Sequence, residues 1–308
     1  MQNFFEILPE KSLTAVALGY FDGVHLGHRR VISQTVDERA NGLTPVCFTF
    51  SKSPKSIIGG EKSVELSTKA DKLKTLEKLG VEHTFQADFE AVRNMPAQEF
   101  FDKILVKTLR AEKLFCGFNY HFGKNGEGDA TLLQRLCVEN NISLGVVPPA
   151  EIDGEVVSST LIKTLIKNGE IKKANKMLCS CFGFSAPIEH GRHLGRELGT
   201  PTLNQPLCDE LVVPKFGVYC SKVTLENGKS YCGVTNIGIK PTVGSSAPLC
   251  ETWLPEYCDG EIYGQVADVR LLEFLREEKK FESLEALKNT IIQNGKTAVE
   301  IYNKSNSV

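Results

Sequence analysis

The sequence has little net charge and lacks a long apolar run. Its 36 Lys and Arg residues oppose 38 Asp and Glu residues, so the formal net charge is −2 at pH 7. No global basic field therefore indicates nucleic acid or an anionic membrane as a partner. No apolar stretch approaches the roughly 20 residues that cross a bilayer. The N-terminal string MQNFFEILPEKS lacks the basic and apolar regions of a secretion signal.

The ten cysteines lack the spacing of a zinc site or of a disulfide framework. No Cys-x-x-Cys occurs, and the closest pair is Cys179 and Cys181. Four of the others lie in apolar, strand-like runs, where cysteine packs as a small hydrophobic residue: Cys47, Cys116, Cys220 and Cys232. We therefore expect reduced, buried cysteines and a cytoplasmic protein.

The sequence does contain a glycine-rich turn, GYFDGVHLGHRR, at residues 19–30. It follows an apolar, strand-like run and precedes a helical pattern. His25 and His28 are three residues apart, so they share a face of the first helical turn. A helix N-terminus presents unpaired amide N–H groups, and glycine lets an anion approach the backbone. The stretch predicts a phosphate site with two imidazole donors, although His-x-x-His also suits a metal pair or ordinary helix-start residues.

Strand and helix patterns alternate through the first half of the chain. Strand-like runs continue at 44–50, 81–86, 113–116 and 142–147. Helical patterns lie between them, at 67–79 with Ser67 as N-cap, at 96–109, and at 129–140 with Asp129 as N-cap. This alternation predicts a parallel sheet covered on both faces. Ligands bind beyond the carboxyl ends of such strands, where the histidine turn lies.

Two further loops in this half carry candidate chemistry. Residues 117–129 are rich in glycine and aromatic rings, which suits a planar heterocycle, although the loop's own aromatics could simply close it. Val157, Ser158, Ser159 and Thr160 place hydroxyl and amide groups at a helix start. That arrangement predicts a second phosphate site or a plain N-cap.

From about residue 183 the pattern changes to short β-like runs, at 184–187, 217–225, 230–237 and 266–272, and then to a helix at 284–302. We expect a small closed or nearly closed β-barrel followed by a terminal helix. Within it, the glycine-rich loop 191–204 could wrap phosphates. Its Thr202 and Asn204 would then offer oxygens to Mg²⁺; the alternative is an ordinary surface loop.

Taken together, these strings resemble the motifs of the bacterial bifunctional riboflavin kinase/FAD synthetases. GYFDGVHLGH is similar to the HxGH signature of nucleotidyltransferases, residues 117–129 to GxNFxFGxxxxGD, and residues 158–160 to the SST motif. GRHLGRELGTPTLN resembles GRxLGxPTxN, GVTNIGIKPT resembles GVxNIGxxPT, and FLREEKKF resembles FLRxExKF. The resemblance covers nearly the whole chain, with the motifs in family order.

The resemblance implies an α/β plus β fold. Residues 1–182 would form a Rossmann-like nucleotidyltransferase domain with a parallel sheet, and residues 183–308 a small β-barrel riboflavin kinase domain with a terminal helix. The barrel would phosphorylate riboflavin to FMN with ATP. The first domain would adenylylate FMN to FAD with a second ATP, releasing pyrophosphate, and Mg²⁺ would serve both steps.

The same resemblance implies roles for individual residues. Catalytic residues would be His25, His28 and Glu251. The adenylyltransferase would bind its nucleotide through Gly19, Phe21, Asp22, Gly27, Ser158, Ser159 and Thr160, and its flavin through Asn119, Phe122 and Gly123. The kinase would bind its nucleotide through Gly195, Gly199, Pro201, Thr202 and Asn204, with Thr202 and Asn204 also on Mg²⁺, and its flavin through Arg276.

The chain departs from the family pattern at two places. After the second strand the family has a His-Pro pair, where this chain has Ser51–Ser53 before Pro54. After SST the family often has an arginine, where this chain has Leu161. Two other functions stay open: a nucleotidyltransferase with a different phosphate or carboxylate acceptor, and a flavin-binding or regulatory protein with a degenerate first domain.

Overall fold

A computed structural model describes residues 12–59, 64–189, 200–239, 248–258, 260 and 262–306. Two compact units divide these residues. The first contains residues 12–59 and 68–159, and the second contains 64–67 and everything described from 160 onward. The division falls within the first turn of a helix, earlier than our boundary at residue 182. The assignment of 1–182 and 183–308 to separate activities therefore stays a prediction.

The first unit contains a sheet of five parallel strands: β1 (Thr14–Leu18), β2 (Thr44–Phe50), β3 (His83–Ala87), β4 (Ala111–Gly117) and β5 (Ser143–Val147). Their spatial order is β3-β2-β1-β4-β5. The predicted parallel sheet is confirmed. The order reverses between β1 and β4, so the crevice beyond their carboxyl ends is the topological switch point at which such sheets bind ligands.

Helices cover both faces of this sheet: α1 (Leu26–Asp37), α2 (Pro54–Gly59), α3 (Lys69–Lys78), α4 (Phe89–Val92), α5 (Ala97–Phe100) continuing as a π-helix (Phe101–Thr108), and α6 (Ala130–Glu139). A hairpin, β6 (Glu151–Ile152) and β7 (Glu155–Val156), follows β5. Because both faces are covered, alternate residues of β1 enter two separate buried clusters.

The ends of two helices test the predicted caps. The Asp129 side chain accepts a hydrogen bond from the Leu132 N–H at 2.8 Å, as the sequence predicted. Helix α3 begins later than expected. Thr68 caps it by accepting from the Asp71 N–H at 3.1 Å, so the prediction of Ser67 as the cap is wrong.

The second unit begins with most of α7 (Ser159–Asn168) and with α8 (Ile171–Leu178). Six antiparallel strands follow in the spatial order β8-β13-β10-β11-β12-β9. They are β8 (Gly183–Pro187), β9 (Thr202–Pro206), β10 (Gly217–Leu225), β11 (Ser230–Ile239), β12 (Pro248–Trp253) and β13 (Val266–Arg276). A bridge between Glu189 and Asn204 joins the two edges, and helix α9 (Leu284–Asn306) ends the chain. The nearly closed barrel with a terminal helix is confirmed.

Two of these strands, β9 and β12, were not predicted. Thr202 and Asn204 lie in strand β9, so placing them in a phosphate-wrapping loop was wrong. The sequence TLNQP gives little strand signal because four of its five residues are polar or proline. The Nε2 of the buried Gln205 donates to two backbone carbonyls, those of Ala186 at 2.7 Å and Ala267 at 2.9 Å.

All ten cysteines lie in the described residues, and none of them forms a disulfide. The four expected in the core are buried, whereas Cys179, Cys208 and Cys258 are exposed.

Candidate active sites

The turn after β1 adopts a strained backbone at the switch point. Phe21 has φ 57° and Val24 has φ 42°, in the left-handed region that a β-branched residue rarely enters. Gly19 continues the sheet through its N–H to the Phe48 carbonyl at 3.2 Å. A Cβ at Gly19 would lie 2.9 Å from the Phe21 ring, so only glycine fits there. Strain of this kind persists where the surroundings over-determine it, typically at functional sites.

His25 and His28 stack on each other at the start of α1. Their ring centroids are 3.6 Å apart at an interplanar angle of 17°, and the edge of His28 meets the Phe21 ring. His25 caps the helix, because its Nδ1 accepts from the His28 N–H at 3.4 Å. Its neutral form therefore carries the proton on Nε2. A Cβ at Gly27 would lie 3.3 Å from the His25 ring, which accounts for the glycine between the histidines.

Burial keeps both imidazoles neutral at pH 7. His25 is 6% exposed, and desolvation lowers its pKa to about 4, although Asp22 opposes the shift. Desolvation, helped by the charges on His25 and Lys72, holds the pKa of His28 well below its ordinary value. His28 Nδ1 is buried and has no hydrogen-bond partner among the described residues. The pair can thus act as hydrogen-bond donors to a ligand rather than as resident cations.

One hydroxyl of the SST motif, that of Ser159, contacts this turn. Ser159 Oγ donates to the Asp22 carbonyl at 3.1 Å, which places the start of α7 beside the strained turn. Asp22 itself is buried. Ser158, directly before Ser159 in the chain, is half-buried, whereas Thr160 is exposed and begins the second unit. Lys163, further along α7, pairs with Glu65 at 3.7 Å within that second unit.

The loop 117–129 closes over its own aromatics. Phe122 is buried in the core, tilted against Phe100 and parallel to Tyr120, and it exchanges two backbone hydrogen bonds of 2.9 Å with Gly128. Its ring is therefore not a stacking surface for a ligand. Phe118, directly after β4, has an exposed ring, with 50% of its surface accessible. Sequence reasoning missed Phe118 because composition does not distinguish the outward ring from the inward one.

The two other flavin candidates of this loop occupy different environments. Asn119 is exposed at the carboxyl end of β4. Gly123 has φ 76° and ψ 177°, and a Cβ there would lie 2.8 Å from the Ala97 Cα. Gly123 thus lets the loop pass close to α5.

A lysine absent from the predicted site lies buried near the histidines. Lys72 on α3 is 6% exposed. Its Nζ donates to the carbonyls of Tyr20 at 3.2 Å and Phe50 at 3.4 Å. Nothing in the sequence distinguishes Lys72, because α3 carries three other lysines and all of them are exposed.

In the barrel, strand pairing brings the predicted kinase residues into one row. Glu251 on β12 lies directly opposite Asn204 on β9 and opposite Asn236 on β11. The row continues through Val218 to Arg276 on β13. Directly paired residues project on the same face of a sheet. Glu251 is half-buried and lies inside its strand.

Helix α9 covers this face and supports both ends of the row. Trp253 is paired with Thr202 and projects on the same face as Glu251. A Cβ at Gly295 of α9 would lie 2.6 Å from the Trp253 ring, so the helix can approach only with glycine there. At the other end, Asn294 of α9, with its amide oxygen turned toward Arg276, accepts from Nη2 at 3.1 Å and from Nε at 3.2 Å.

Some predicted kinase residues remain outside the row. Pro201 is exposed just before β9. Gly195 and Gly199 lie outside the described residues. Asn236 belongs to the row although the sequence did not single it out, and its amide donates to the Glu278 carboxylate at 3.3 Å.

Comparison with known proteins identifies the family. A family model described as FAD synthetase matches residues 8–161, and one described as riboflavin kinase matches residues 178–302. The bifunctional riboflavin kinase/FMN adenylyltransferase of Bacillus subtilis (strain 168) is 30% identical over 96% of this chain and 95% of its own length. The protein of the same name in Escherichia coli (strain K12) is 32% identical, covering 93% of this chain and 92% of that protein. The chain belongs to the bifunctional riboflavin kinase/FMN adenylyltransferase family.

As a member of this family, the chain is an enzyme of flavin-cofactor biosynthesis with both kinase and nucleotidyltransferase activity. A solved structure described as a macrolide-efflux protein from Streptococcus pneumoniae is 29% identical, with a TM-score of 0.85 over 94% of this chain and 95% of that one. The word efflux comes from the description of the Streptococcus pneumoniae protein and applies to that protein. In the described part of the present chain, no helix is long and apolar enough to cross a membrane.

Proposed function

We propose that adenylyl transfer takes place at the stacked His25–His28 pair and riboflavin phosphorylation at the Glu251 row of the barrel. On this assignment, residues 1–182 work as the FMN adenylyltransferase domain and residues 183–308 as the riboflavin kinase domain. The observation that carries the first site is a pair of neutral, stacked imidazoles at the topological switch point. The second site rests on the register that aligns Asn204, Glu251 and Arg276 across the sheet.

At the first site, a phosphate oxygen of FMN attacks the α-phosphorus of ATP. The bond from that phosphorus to the bridging oxygen breaks, pyrophosphate leaves, and FAD is formed without a covalent enzyme intermediate. Negative charge grows on the phosphoryl oxygens, and the Nε2–H of His25 together with an N–H of His28 donates to them. Such donors are fixed before the reaction, so they cost no reorganisation in the transition state.

Surrounding residues would bind the two substrates of this step. Gly19 and Gly27 leave room at the turn, where the amides of α1 face an anion. Ser159 contacts the Asp22 carbonyl and, together with Ser158 directly before it in the chain, would lie on the nucleotide side. On the flavin side we place Asn119 and the exposed Phe118 ring, with Gly123 and the buried Phe122 holding the loop in shape.

At the second site, the 5′-hydroxyl of riboflavin attacks the γ-phosphorus of ATP. The hydroxyl proton passes to the Glu251 carboxylate, the bond to the β-phosphate oxygen breaks, and ADP leaves. A carboxylate is a suitable general base for this step, because phosphoryl transfer requires mainly positioning and charge neutralisation. Arg276, held by Asn294, would order the flavin end of the row.

Mg²⁺ fits the residues beside Glu251. Thr202 and Asn204 alternate along β9 and share one face, so the Thr202 hydroxyl and the Asn204 amide oxygen can face the same ion. Neutral oxygens with one nearby carboxylate suit a hard cation that also binds ATP phosphates. When bound, Mg²⁺ would neutralise the charge on those phosphates.

The proposed ligands are the small molecules ATP, riboflavin and FMN, and we place the enzyme in the cytoplasm. Two observations support this. The ten cysteines form no disulfide, which suits a reducing compartment. The net charge of −2 favours small-molecule substrates over nucleic acid or an anionic membrane surface.

A time course of flavin products tests the proposal. The purified protein is mixed with riboflavin, excess ATP and Mg²⁺, and the flavins are separated by chromatography. We expect FMN first and FAD afterward. FMN without FAD would show that the departures at Ser51–Ser53 and Leu161 have silenced the first site. Unchanged riboflavin would contradict the kinase assignment and require a screen of other phosphate acceptors.

A further inference from the structure

Glu278 lies on the same face of the barrel as the proposed kinase base. It comes two residues after β13 ends, and its carboxylate accepts from the Asn236 amide at 3.3 Å. Asn236 pairs directly with Glu251 on the neighbouring strand, so these two side chains project on one face. Asn236 therefore has a carboxylate beside it that the proposed catalytic set does not use.

A glycine on β11 makes room for the Glu278 carboxylate. Gly238 is two residues from Asn236, so the two positions face the same side of the sheet. A Cβ at Gly238 would lie 2.9 Å from the Glu278 Cδ and would collide with its Oε1. The carboxylate thus lies against the strand, although Glu278 as a whole is exposed.

The segment after β13 also folds around Arg276. The guanidinium of Arg276 lies 5.7 Å from the centroid of the Phe281 ring, and its Nη1 donates to the Glu277 carbonyl at 2.9 Å. Burial lowers the pKa of Arg276, and the negative charge of Glu278 opposes that shift. Glu278 therefore acts on both Asn236 and Arg276, two residues of the same row.

The contact with Glu278 decides which end of the Asn236 amide can accept from a ligand. An ionised carboxylate only accepts hydrogen bonds, so it must face the Nδ2 of the amide. The carbonyl oxygen Oδ1 then points away from Glu278. Within the row, Asn236 lies between Glu251 and Arg276, which we assign to the reacting hydroxyl and to the flavin. The ribityl chain of riboflavin connects these two parts, and each of its hydroxyls can donate a hydrogen bond.

We propose that Glu278 is a positioning residue for riboflavin: it holds the Asn236 amide so that its carbonyl oxygen accepts from a hydroxyl of the ribityl chain. This inference rests on the proposed function, because it assumes that the Glu251 row is the kinase site. The ligand chemistry it favours is a neutral polyol. An acceptor that is already fixed loses less side-chain freedom when the polyol binds, so it contributes more to affinity.

The test compares Glu278→Ala with Glu277→Ala, a matched change at the preceding residue, whose carboxylate pairs with Lys215 at the surface. Steady-state phosphorylation of riboflavin gives kcat and the KM values for riboflavin and ATP, and FAD formation from added FMN is the internal control. For Glu278→Ala we expect a KM for riboflavin raised about fivefold to tenfold, the usual loss for one hydrogen bond. The KM for ATP and FAD formation should stay unchanged. Glu277→Ala should match the wild type.

The conservative variant separates the hydrogen bond from general disruption of the loop. Glu278→Gln should keep the KM for riboflavin within about threefold of wild type, because its amide oxygen can still accept from Asn236. A Glu278→Gln enzyme as impaired as Glu278→Ala would contradict an acceptor role that needs only an oxygen at this position.

A double-mutant cycle with Gly238 tests the contact itself. Gly238→Ala adds one methyl group, which displaces the Glu278 carboxylate without changing any charge. It should raise the KM for riboflavin as Glu278→Ala does. The double variant should be no weaker than either single variant, because both changes remove the same contact.

Three further results would overturn the inference. One is a KM for riboflavin in Glu278→Ala equal to that in Glu277→Ala. Another is an equal rise in the KM for ATP, which would mean that the change disturbs the whole site. The third is a double variant in which the effects of Gly238→Ala and Glu278→Ala multiply; if Gly238→Ala does not fold, the Glu278 variants alone decide. Failure of the proposed function looks different, because Glu251→Gln would then retain full riboflavin kinase turnover.

Discussion

At the scale of single residues, burial decides what the two histidines can do. A histidine at the surface would titrate near pH 6.5, but desolvation lowers the pKa of His25 to about 4. Its Nδ1 is already occupied by the His28 N–H, so Nε2 is the nitrogen that carries the proton. The fixed tautomer gives the site a defined donor at every pH at which the enzyme would work.

Replacing His28 with alanine should remove one donor to the reacting phosphate. We expect kcat/KM for FAD formation from FMN to fall by about 10²- to 10³-fold, the usual loss for one preorganised donor. Riboflavin phosphorylation should stay unchanged, because the barrel does not contain this residue. Both rates are measured on the same purified variant, and equal losses in a folded protein would contradict two separate sites.

Replacing Glu251 with glutamine keeps the size of the side chain but removes the base. We expect riboflavin kinase turnover to fall by about 10²- to 10⁴-fold, the range that general base catalysis contributes. Adenylylation of added FMN should remain at the wild-type rate. Kinase turnover within threefold of wild type would show that another group accepts the hydroxyl proton.

At the scale of elements, the first site lies where strands end and the second lies within strands. The turn after β1 and the loop after β4 meet at the switch point of a parallel sheet, which alternation of strands and helices predicts. In the barrel, catalytic candidates on β9 and β12 come together through antiparallel register. Loops hold the first site, whereas a rigid hydrogen-bonded ladder aligns the second.

The loop after β4 depends on a glycine that no other residue can replace. Gly123→Ala should destabilise the first unit by about 3 kcal/mol or more, because it adds left-handed strain and a clash with Ala97 at 2.8 Å. Gly154→Ala is the matched control. Gly154 has φ 79° but open space around its missing Cβ, so its variant should lose only about 1 kcal/mol. Denaturant unfolding measures both, and equal losses would contradict the close approach of the loop to α5.

The sequence predicted these elements unevenly, and the reasons are physical. The local sequence alone predicts β1 from its apolar run. It also predicts α6 from its apolar side and its Asp129 cap. Strand β9 lacks such a local signal, because the amide of its buried Gln205 finds its acceptors on strands β8 and β13. Lys72 and Phe118 could not be recognised either, since inward or outward orientation is set by tertiary packing. Motif strings supplied most of the candidate residues, but not Asn236, which register alone adds to the row.

At the scale of the whole molecule, the chain joins a parallel α/β unit to an antiparallel barrel, and each has its own core. The two family models divide the chain in a similar way, at residues 161 and 178. Separate cores imply that each unit can lose stability independently, so unfolding need not follow a single transition.

Acid should destabilise the first unit selectively through His25. Its pKa is about 4 in the folded chain and near 6.5 when unfolded, so the unfolded state binds more protons between these values. The stabilisation is present above pH 6.5 and is lost as the pH falls toward 4, by on the order of 3 kcal/mol. His28, whose pKa is also lowered, acts in the same direction.

The variant His25→Asn tests this pH dependence, because asparagine can cap α1 without titrating. Its free energy of unfolding should vary less between pH 7 and pH 4 than that of the wild type. His121→Asn, a change at an exposed histidine, should leave the wild-type pH dependence intact. Parallel curves for wild type and His25→Asn would show that His25 is not buried in its neutral form.

The most direct test of two independent sites mixes the two inactivated enzymes. His28→Ala and Glu251→Gln proteins are incubated with riboflavin, ATP and Mg²⁺, first separately and then together, and FAD is measured. The account predicts that His28→Ala alone stops at FMN, that Glu251→Gln alone leaves riboflavin, and that the mixture forms FAD through released FMN. A mixture that forms no FAD, although each folded variant retains its other activity, would contradict the claim that the two sites act in sequence through FMN.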